Sequence, residues 1–143
     1  MICVGTFLVC FVLALVLFDS GASRSFVSLS LSKHISIHRE ALSRPLRVSI
    51  ADERAVYATD VIRGCVLEIF GVEFPIDLVP IAMGDVCVIV GMDWLSRFGA
   101  VIDCERQLVT IRDHSGGVLS VYGEGTRFGS AFCSAARARQ SLQ

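Results

Sequence analysis

The stretch Leu-Val-Leu-Phe-Asp-Ser-Gly-Ala-Ser at residues 15–23 decides how the rest of the sequence is interpreted. An apolar run leads to a single carboxylate, Asp19, which is followed by Ser20, Gly21 and Ala22. A strand would hold this carboxylate in an apolar floor, and the glycine would let backbone amides approach it closely. Such an arrangement suits a site that activates water, although Asp-Ser-Gly taken alone is also an ordinary turn tripeptide.

A second stretch, Val-Ile-Val-Gly-Met-Asp-Trp-Leu at residues 88–95, has a related organisation. Its apolar start is typical of a strand that is buried on both faces. Gly91 ends this strand, and Asp93 then opens a short helix, for which we expect it to be the N-cap. Because both stretches occur in one chain, a functional role for the Asp-Ser-Gly tripeptide has more support than it has from that tripeptide alone.

Short apolar runs separated by turn residues fill the rest of the folded part, which predicts an all-β protein. One hairpin is predicted around the polar turn at 51–54 and another around Gly71, whose second strand alternates apolar and polar residues. We predict separate strands at 56–62 and 65–70, and a last hairpin formed by 100–104 and 108–111. A short helix capped by Ser28 is also expected.

With Val-Ile-Asp-Cys at 101–104 and Leu-Val-Thr-Ile at 108–111, these stretches resemble the protease of gypsy-type retrotransposons, a relative of the retropepsins. The resemblance runs from about Gly5 to about Thr126. It implies a closed, all-β, retropepsin-like protomer with a short helix after the Val-Ile-Val-Gly strand. It also implies an aspartic endopeptidase that processes a polyprotein.

The resemblance assigns roles to individual residues of this chain. Asp19 matches the catalytic aspartate, and Ser20 matches the residue whose hydroxyl locks two active-site loops together. Gly21 and Ala22 complete the loop. The segment that crosses beneath the loop is matched by Val90 and Gly91, and the flap that closes over the substrate by Ala51, Asp52, Glu53 and Arg54.

The chemistry implied by this family needs two carboxylates that share one proton. The chain contains a single Asp-Ser-Gly, and none of Asp85, Asp93 and Asp103 is followed by a Ser/Thr-Gly turn. We therefore expect the second aspartate to come from another copy of the chain, in a homodimer that acts on polypeptide substrates. Neither a metal nor a cofactor is expected.

Composition limits the class of partner. The 143 residues include 13 basic and 14 acidic side chains and carry a net charge of -1, whereas nucleic-acid-binding chains normally have a basic surplus. We therefore expect no nucleic-acid partner.

The length suits one domain. We predict that it occupies residues 1–115 and that the glycine-rich stretch from residue 116 begins a flexible tail or linker, 116–143.

The N-terminal segment leaves two interpretations open. Residues 2–18 contain no charge, so they suit either two buried strands or a membrane or export segment. Residues 10–15, Cys-Phe-Val-Leu-Ala-Leu, also lack the polar turn usual between the first two strands of gypsy-type relatives, so we expect a strained or rebuilt hairpin.

The cysteines and the departures from the family pattern affect the expected setting of the protein. Most of the six cysteines lie in apolar runs without a Cys-x-x-Cys pair, which predicts buried free thiols in a reducing compartment such as the cytoplasm.

Two alternatives to an active protease remain. One is an inactive or domesticated retrotransposon-derived fragment, and the other is a small protein anchored to a membrane by residues 2–18.

Overall fold

A computed structural model describes residues 2–49, 55–83, 87–123 and 139–140. Within these ranges the chain is mostly β. The strands, in chain order, are β1 Ile2–Val9, β2 Val12–Asp19, β3 Phe26–Ser28, β4 Arg39–Ser49, β5 Ala55–Ile69, β6 Val72–Ile81, β7 Cys87–Val90, β8 Val101–Asp103, β9 Leu108–Arg112, β10 Val118–Tyr122 and β11 Arg139–Gln140. The helices are α1 Leu29–Ser32 and α2 Met92–Arg97.

The main sheet closes on itself. Its strand order is β1-β2-β7-β3-β6-β5-β4-β11, and β1 also pairs with β5, which joins one end of the sheet to its interior. Strand β2 runs parallel to β7, with Phe18 opposite Val90, and β3 lies between β7 and β6. These features confirm the predicted all-β closed protomer, and α2 follows β7 directly, as predicted.

Alternation along the strands explains which face is buried. In β6, Phe74, Ile76 and Leu78 are buried, whereas the residues that alternate with them, Glu73, Pro75 and Asp77, are exposed. Strand β7 is buried along its whole length because it lies between β2 and β3. Residues of β2, β5, β6, β7 and α2 contribute to the larger apolar core. The sheet therefore places its apolar side chains inside the closed fold.

Strand β5 differs from the two separate strands predicted at 56–62 and 65–70. It is one 15-residue strand whose pairing with β6 is irregular between Ile62 and Cys65. Gly64 lies in this irregular segment with a φ of +77°, a conformation that glycine adopts without steric cost. A β-bulge therefore takes the place of the predicted break, because the extra residue bends the strand without ending it.

Both predicted short helices have a well-defined start. The side chain of Ser28 accepts a hydrogen bond from the backbone N–H of Leu31, so Ser28 caps α1 as the sequence predicts. Helix α2 instead has Gly91 as its N-cap, so the prediction that Asp93 caps this helix is wrong. Asp93 lies two positions further along, in the first turn of the helix, and its carboxylate accepts hydrogen bonds from Ser25.

The tail is predicted to begin at residue 116, but the structure has a further strand of the fold after this residue. Strands β8, β9 and β10 form a small antiparallel sheet, and β10 pairs with β9 from Val118 to Tyr122. Val121 is buried against the main core, which explains why this segment is ordered within the fold. Strand β11 pairs with the end of β4. Residues 124–138 and 141–143 of the predicted tail lie outside the described residues.

The N-terminal segment forms a hairpin, in which β1 and β2 pair without a shift from Ile2 opposite Asp19 to Val9 opposite Val12. Its two-residue turn consists of Cys10 and Phe11, with φ values of +48° and +67°. A two-residue turn of this kind normally contains Asn and Gly, so the apolar hairpin turn is strained. No helix in the described part of the chain is long and apolar enough to cross a membrane.

A disulfide joins this turn to the neighbouring strand. Cys10 is bonded to Cys65 of β5, with the two Cα atoms 5.5 Å apart, so the prediction of free thiols is wrong for these two cysteines. The prediction failed because the two residues are 55 positions apart in sequence and meet only through the pairing of β1 with β5. Cys87, the first residue of β7, is buried.

Candidate active site

Asp19 is the last residue of β2 and is fully buried. The strand that carries it is held between β1 and β7, and Val16, Leu17 and Phe18 before it are also fully buried. The backbone N–H of Gly21 donates a hydrogen bond to Asp19 Oδ1 at 2.8 Å. The strand and this tight turn therefore fix the position of the carboxylate.

The loop after Asp19 turns back on itself and then enters β3. The N–H of Ala22 donates to the carbonyl oxygen of Asp19 at 3.2 Å, and Ala22 is fully buried. Ser20 and Gly21 at the tip of this turn are exposed. The loop thus presents a serine and a glycine at the surface while its aspartate and alanine face the interior.

The segment from β7 into α2 crosses directly behind this loop. The N–H of Met92 donates to the carbonyl oxygen of Ala22 at 2.7 Å, and the N–H of Asp93 donates to that of Ser23 at 3.1 Å. Gly91 is in such close contact that a Cβ atom there would lie 2.3 Å from the carbonyl oxygen of Arg24. This position therefore accepts only glycine without displacing backbone.

Ser25 links the two segments through its side chain. Its hydroxyl donates to Asp93 Oδ1 at 2.7 Å and accepts the N–H of Gly91 at 3.0 Å, while its own N–H donates to Asp93 Oδ2 at 3.2 Å. Ser25 is fully buried. The aspartate of α2 thus braces the loop, and this role, not helix capping, explains its position.

Sequence reasoning did not identify Ser25. The residue lies in Ser-Arg-Ser-Phe-Val, where a serine directly before a short apolar run was the only available signal. Its partner Asp93 is 68 residues away in sequence. The pair becomes visible only when β3 and β7 are known to be neighbours.

A cleft of about 450 Å³ opens beside the loop. Its lining comes from the loop, from β5, from β6 and from α2, and consists of Ser23, Arg24, Val61, Arg63, Asp77, Val79 and Asp93. Arg63 contacts Glu40 and Asp77, each at 3.3 Å. The cleft therefore combines an apolar floor with charged side chains of both signs.

The sequence-predicted residues fall into two groups. The structure brings Asp19, Ser20, Gly21 and Ala22 together with the crossing segment that contains Val90 and Gly91. The predicted flap residues, 51–54, lie outside the described residues. The strands on either side of them, β4 and β5, are antiparallel and pair up to Ser49 opposite Ala55.

Comparisons with known proteins agree with this geometry. The sequence matches the family described as "Retroviral aspartyl protease" over residues 1–116. No curated protein matches it. Among solved structures, the fold resembles the retroviral protease-like domain of Ddi1 from Leishmania major, with a TM-score of 0.60 and 17% identity, covering 87% of this chain and 98% of that one.

A second solved structure with a similar fold is the EIAV protease complexed with the inhibitor HBY-793. The TM-score is 0.51 and the identity is 18%, and the alignment covers 70% of this chain and 90% of the EIAV chain. Because both sequence identities are low, these two similarities show a common fold and nothing further.

Proposed function

Because the chain belongs to the retroviral aspartyl protease family, we propose that it is an aspartic endopeptidase that hydrolyses peptide bonds through Asp19. The observation that carries this proposal is the setting of that carboxylate. It lies at the end of a buried strand, accepts the N–H of Gly21 at 2.8 Å, and is followed by a loop that packs tightly against Gly91. A fixed carboxylate on a rigid loop is what general acid–base catalysis requires.

The site requires a second copy of the chain. Peptide hydrolysis by this mechanism uses two close carboxylates that cannot both ionise, so one proton is shared between them. The sequence has one Asp-Ser-Gly, and a two-fold axis places identical residues of two subunits opposite each other. The exposed Ser20 and Gly21 make the tip of the loop available for such a contact.

In this dimer each member of the carboxylate pair has its own task. The ionised carboxylate takes a proton from a water molecule, which attacks the scissile carbonyl carbon, and the protonated carboxylic acid polarises the carbonyl oxygen. Neither a metal nor a covalent intermediate takes part. The hairpin of β4 and β5 carries the predicted flap at 51–54, which would cover an extended polypeptide in the cleft. The original substrates are the junctions of a parent retrotransposon polyprotein.

Full burial of Asp19 favours a second candidate function. Water must reach a catalytic carboxylate, yet in the single protomer this side chain has no exposed surface. An active dimer must therefore open a path to it, starting from the exposed neighbours Ser20 and Gly21. A protein that keeps this loop closed would be a catalytically inactive, domesticated form of the fold.

Cleavage of a peptide library at mildly acidic pH tests the proposal. We expect Asp19→Asn to reduce the cleavage rate by at least about 10²–10⁴-fold, because it removes the group that exchanges the proton. Asp103→Asn, the same change at the end of β8 in the small sheet, is the matched control and should retain activity. Circular dichroism must show that both variants remain folded. Equal cleavage by the wild type and by Asp19→Asn would contradict the proposal.

Mixing experiments test the dimer separately. An excess of Asp19→Asn protomers should inhibit wild-type chains, because each mixed dimer has a single native carboxylate. Activity per chain should also fall on dilution below the dissociation constant of the dimer. Full, dilution-independent activity from a species that sediments as a monomer would exclude the shared pair. A folded wild-type dimer without any cleavage would instead support the inactive form.

A further inference from the structure

Arg24 is an exposed cation at the mouth of the cleft beside the active-site loop. Its backbone is held in place, because its carbonyl packs against Gly91 and its neighbour Ser25 is anchored to Asp93. Within the described part of the chain, no carboxylate forms an ion pair with its guanidinium. The loop therefore holds the backbone of Arg24 beside the cleft, and its exposed side chain has no carboxylate partner among the described residues.

The other charged groups of the cleft are already engaged. Arg63 contacts both Glu40 and Asp77 at 3.3 Å, and Asp77 also accepts the N–H of Gly64 at 3.0 Å. The two oxygens of Asp93 accept hydrogen bonds from the N–H and the hydroxyl of Ser25. Arg63 thus has its positive charge balanced by two carboxylates, whereas no ion pair of Arg24 is found among the described residues.

The floor of the cleft is apolar. Val61 of β5 and Val79 of β6 both line it and are buried, so a bound side chain would pack its carbon stem against them. A side chain that combines an apolar stem with a negative tip would satisfy both the valines and the guanidinium. Arginine binds carboxylates in a planar, two-pronged geometry, which makes a glutamate or aspartate the best match.

We propose that this cleft is a substrate subsite that selects an acidic side chain, and that Arg24 is the residue that determines this specificity. The inference rests on the proposed protease function, since it concerns the substrate of the same site. Arg24 lies in the loop that connects Asp19, the last residue of β2, to β3, so a peptide that extends across Asp19 would reach the cleft within a few residues. The substrate class is therefore a polypeptide with a Glu or Asp near the bond that is cut.

A cleavage experiment tests this specificity. Short blocked peptides with Glu, Gln or Lys fixed at each position in turn are incubated with the wild-type protein, and kcat/KM is measured. At one position near the cut, we expect Glu to be preferred over Gln by about 10- to 100-fold, the range of a charge-assisted hydrogen bond. Arg24→Gln should abolish the preference, and Arg24→Glu should shift it toward Lys. High salt should weaken it, because the guanidinium is exposed.

A binding experiment keeps the inference testable even if the protein cuts nothing. The Asp19→Asn variant is titrated with the same Glu and Gln peptides by calorimetry, alone and combined with Arg24→Gln. Lys33→Glu, which lowers the net charge by the same amount as Arg24→Glu from the exposed end of α1, is the control and should keep the preference.

The possible results separate the two proposals. Acid-selective binding without any cleavage would support the subsite and contradict the protease function. Cleavage with equal preference for Glu and Gln would support the protease and overturn the subsite. Loss of the preference in Lys33→Glu as much as in Arg24→Glu would also overturn it, because net charge and not the cleft would then select the peptide. Undetectable binding of every peptide would overturn it as well.

Discussion

The two ends of strand β2 are held in place by different means. At its start, the turn residues Cys10 and Phe11 adopt positive φ values, and a disulfide ties the turn to Cys65. At its end, the loop after Asp19 is held by hydrogen bonds and by the close approach of Gly91. The first end tolerates unfavourable residues because it is cross-linked and exposed, whereas the second permits almost no change in shape.

A neighbouring turn shows what is unusual about the first end. Strands β5 and β6 are joined by Phe70 and Gly71, whose φ values of +50° and +81° follow the same pattern as those of Cys10 and Phe11. In that turn glycine occupies the second position, as is usual for two-residue hairpins. The turn before β2 lacks this glycine, so its backbone conformation is less favourable.

Replacing Gly91 with alanine should have the largest effect. The added Cβ would lie 2.3 Å from the carbonyl oxygen of Arg24 and 2.7 Å from that of Ala22, so backbone must move. We expect the free energy of unfolding to fall by more than about 4 kcal/mol, as in severe overpacking, with loss of any cleavage activity. Urea unfolding followed by tryptophan fluorescence measures the change.

Gly71→Ala is the matched control for that substitution. No atom lies within 4 Å of a Cβ placed at Gly71, so only the positive φ opposes the change, at about 1–2 kcal/mol. A similar loss in both variants would show that backbone conformation, and not close packing behind the loop after Asp19, explains the need for Gly91.

The sequence predicted features that depend on neighbouring residues. The all-β class followed from apolar runs and turn residues, the closed protomer from the resemblance to the retropepsins, and the cap of α1 from Ser28 alone. Long-range pairs could not be found in this way. The contact between Ser25 and Asp93 and the bond between Cys10 and Cys65 both depend on which strands become neighbours.

In the candidate site too, features that depend on neighbouring residues were predicted and long-range contacts were not. Asp19 and Gly91 could be proposed as site residues from the sequence because each lies in a short, recognisable stretch. The place of Arg24 beside the cleft could not be predicted, because an arginine in a loop has no sequence pattern of its own and its neighbours come from distant strands. The prediction of two strands on either side of Gly64 was wrong, because a glycine at a β-bulge and a glycine at a strand end interrupt the sequence pattern in the same way.

Removing the disulfide should have the next largest effect. The double variant Cys10→Ala, Cys65→Ala releases a cross-link between residues 55 positions apart, and we expect a loss of about 2–4 kcal/mol in the free energy of unfolding. A reducing agent should cause a similar loss in the wild type and no further loss in the double variant. An unfolding midpoint that does not respond to reducing agent would show that the first end of β2 needs no cross-link.

The smallest expected effect is a gain in stability from Phe11→Gly. Phe11 has a φ of +67° and its side chain is 76% exposed, so glycine relieves the unfavourable backbone conformation and removes little buried surface. Glycine also makes the unfolded chain more flexible, which offsets part of this benefit and leaves a net gain of about 0.5 kcal/mol. Leu13→Gly is the control, because Leu13 is also exposed but lies within β2, where glycine should cost about 0.5–1 kcal/mol. Urea unfolding of both variants with the disulfide intact gives the comparison. If Phe11→Gly destabilises the protein as much as Leu13→Gly does, the turn before β2 is not strained, and the two ends of the strand differ less than their backbone conformations indicate.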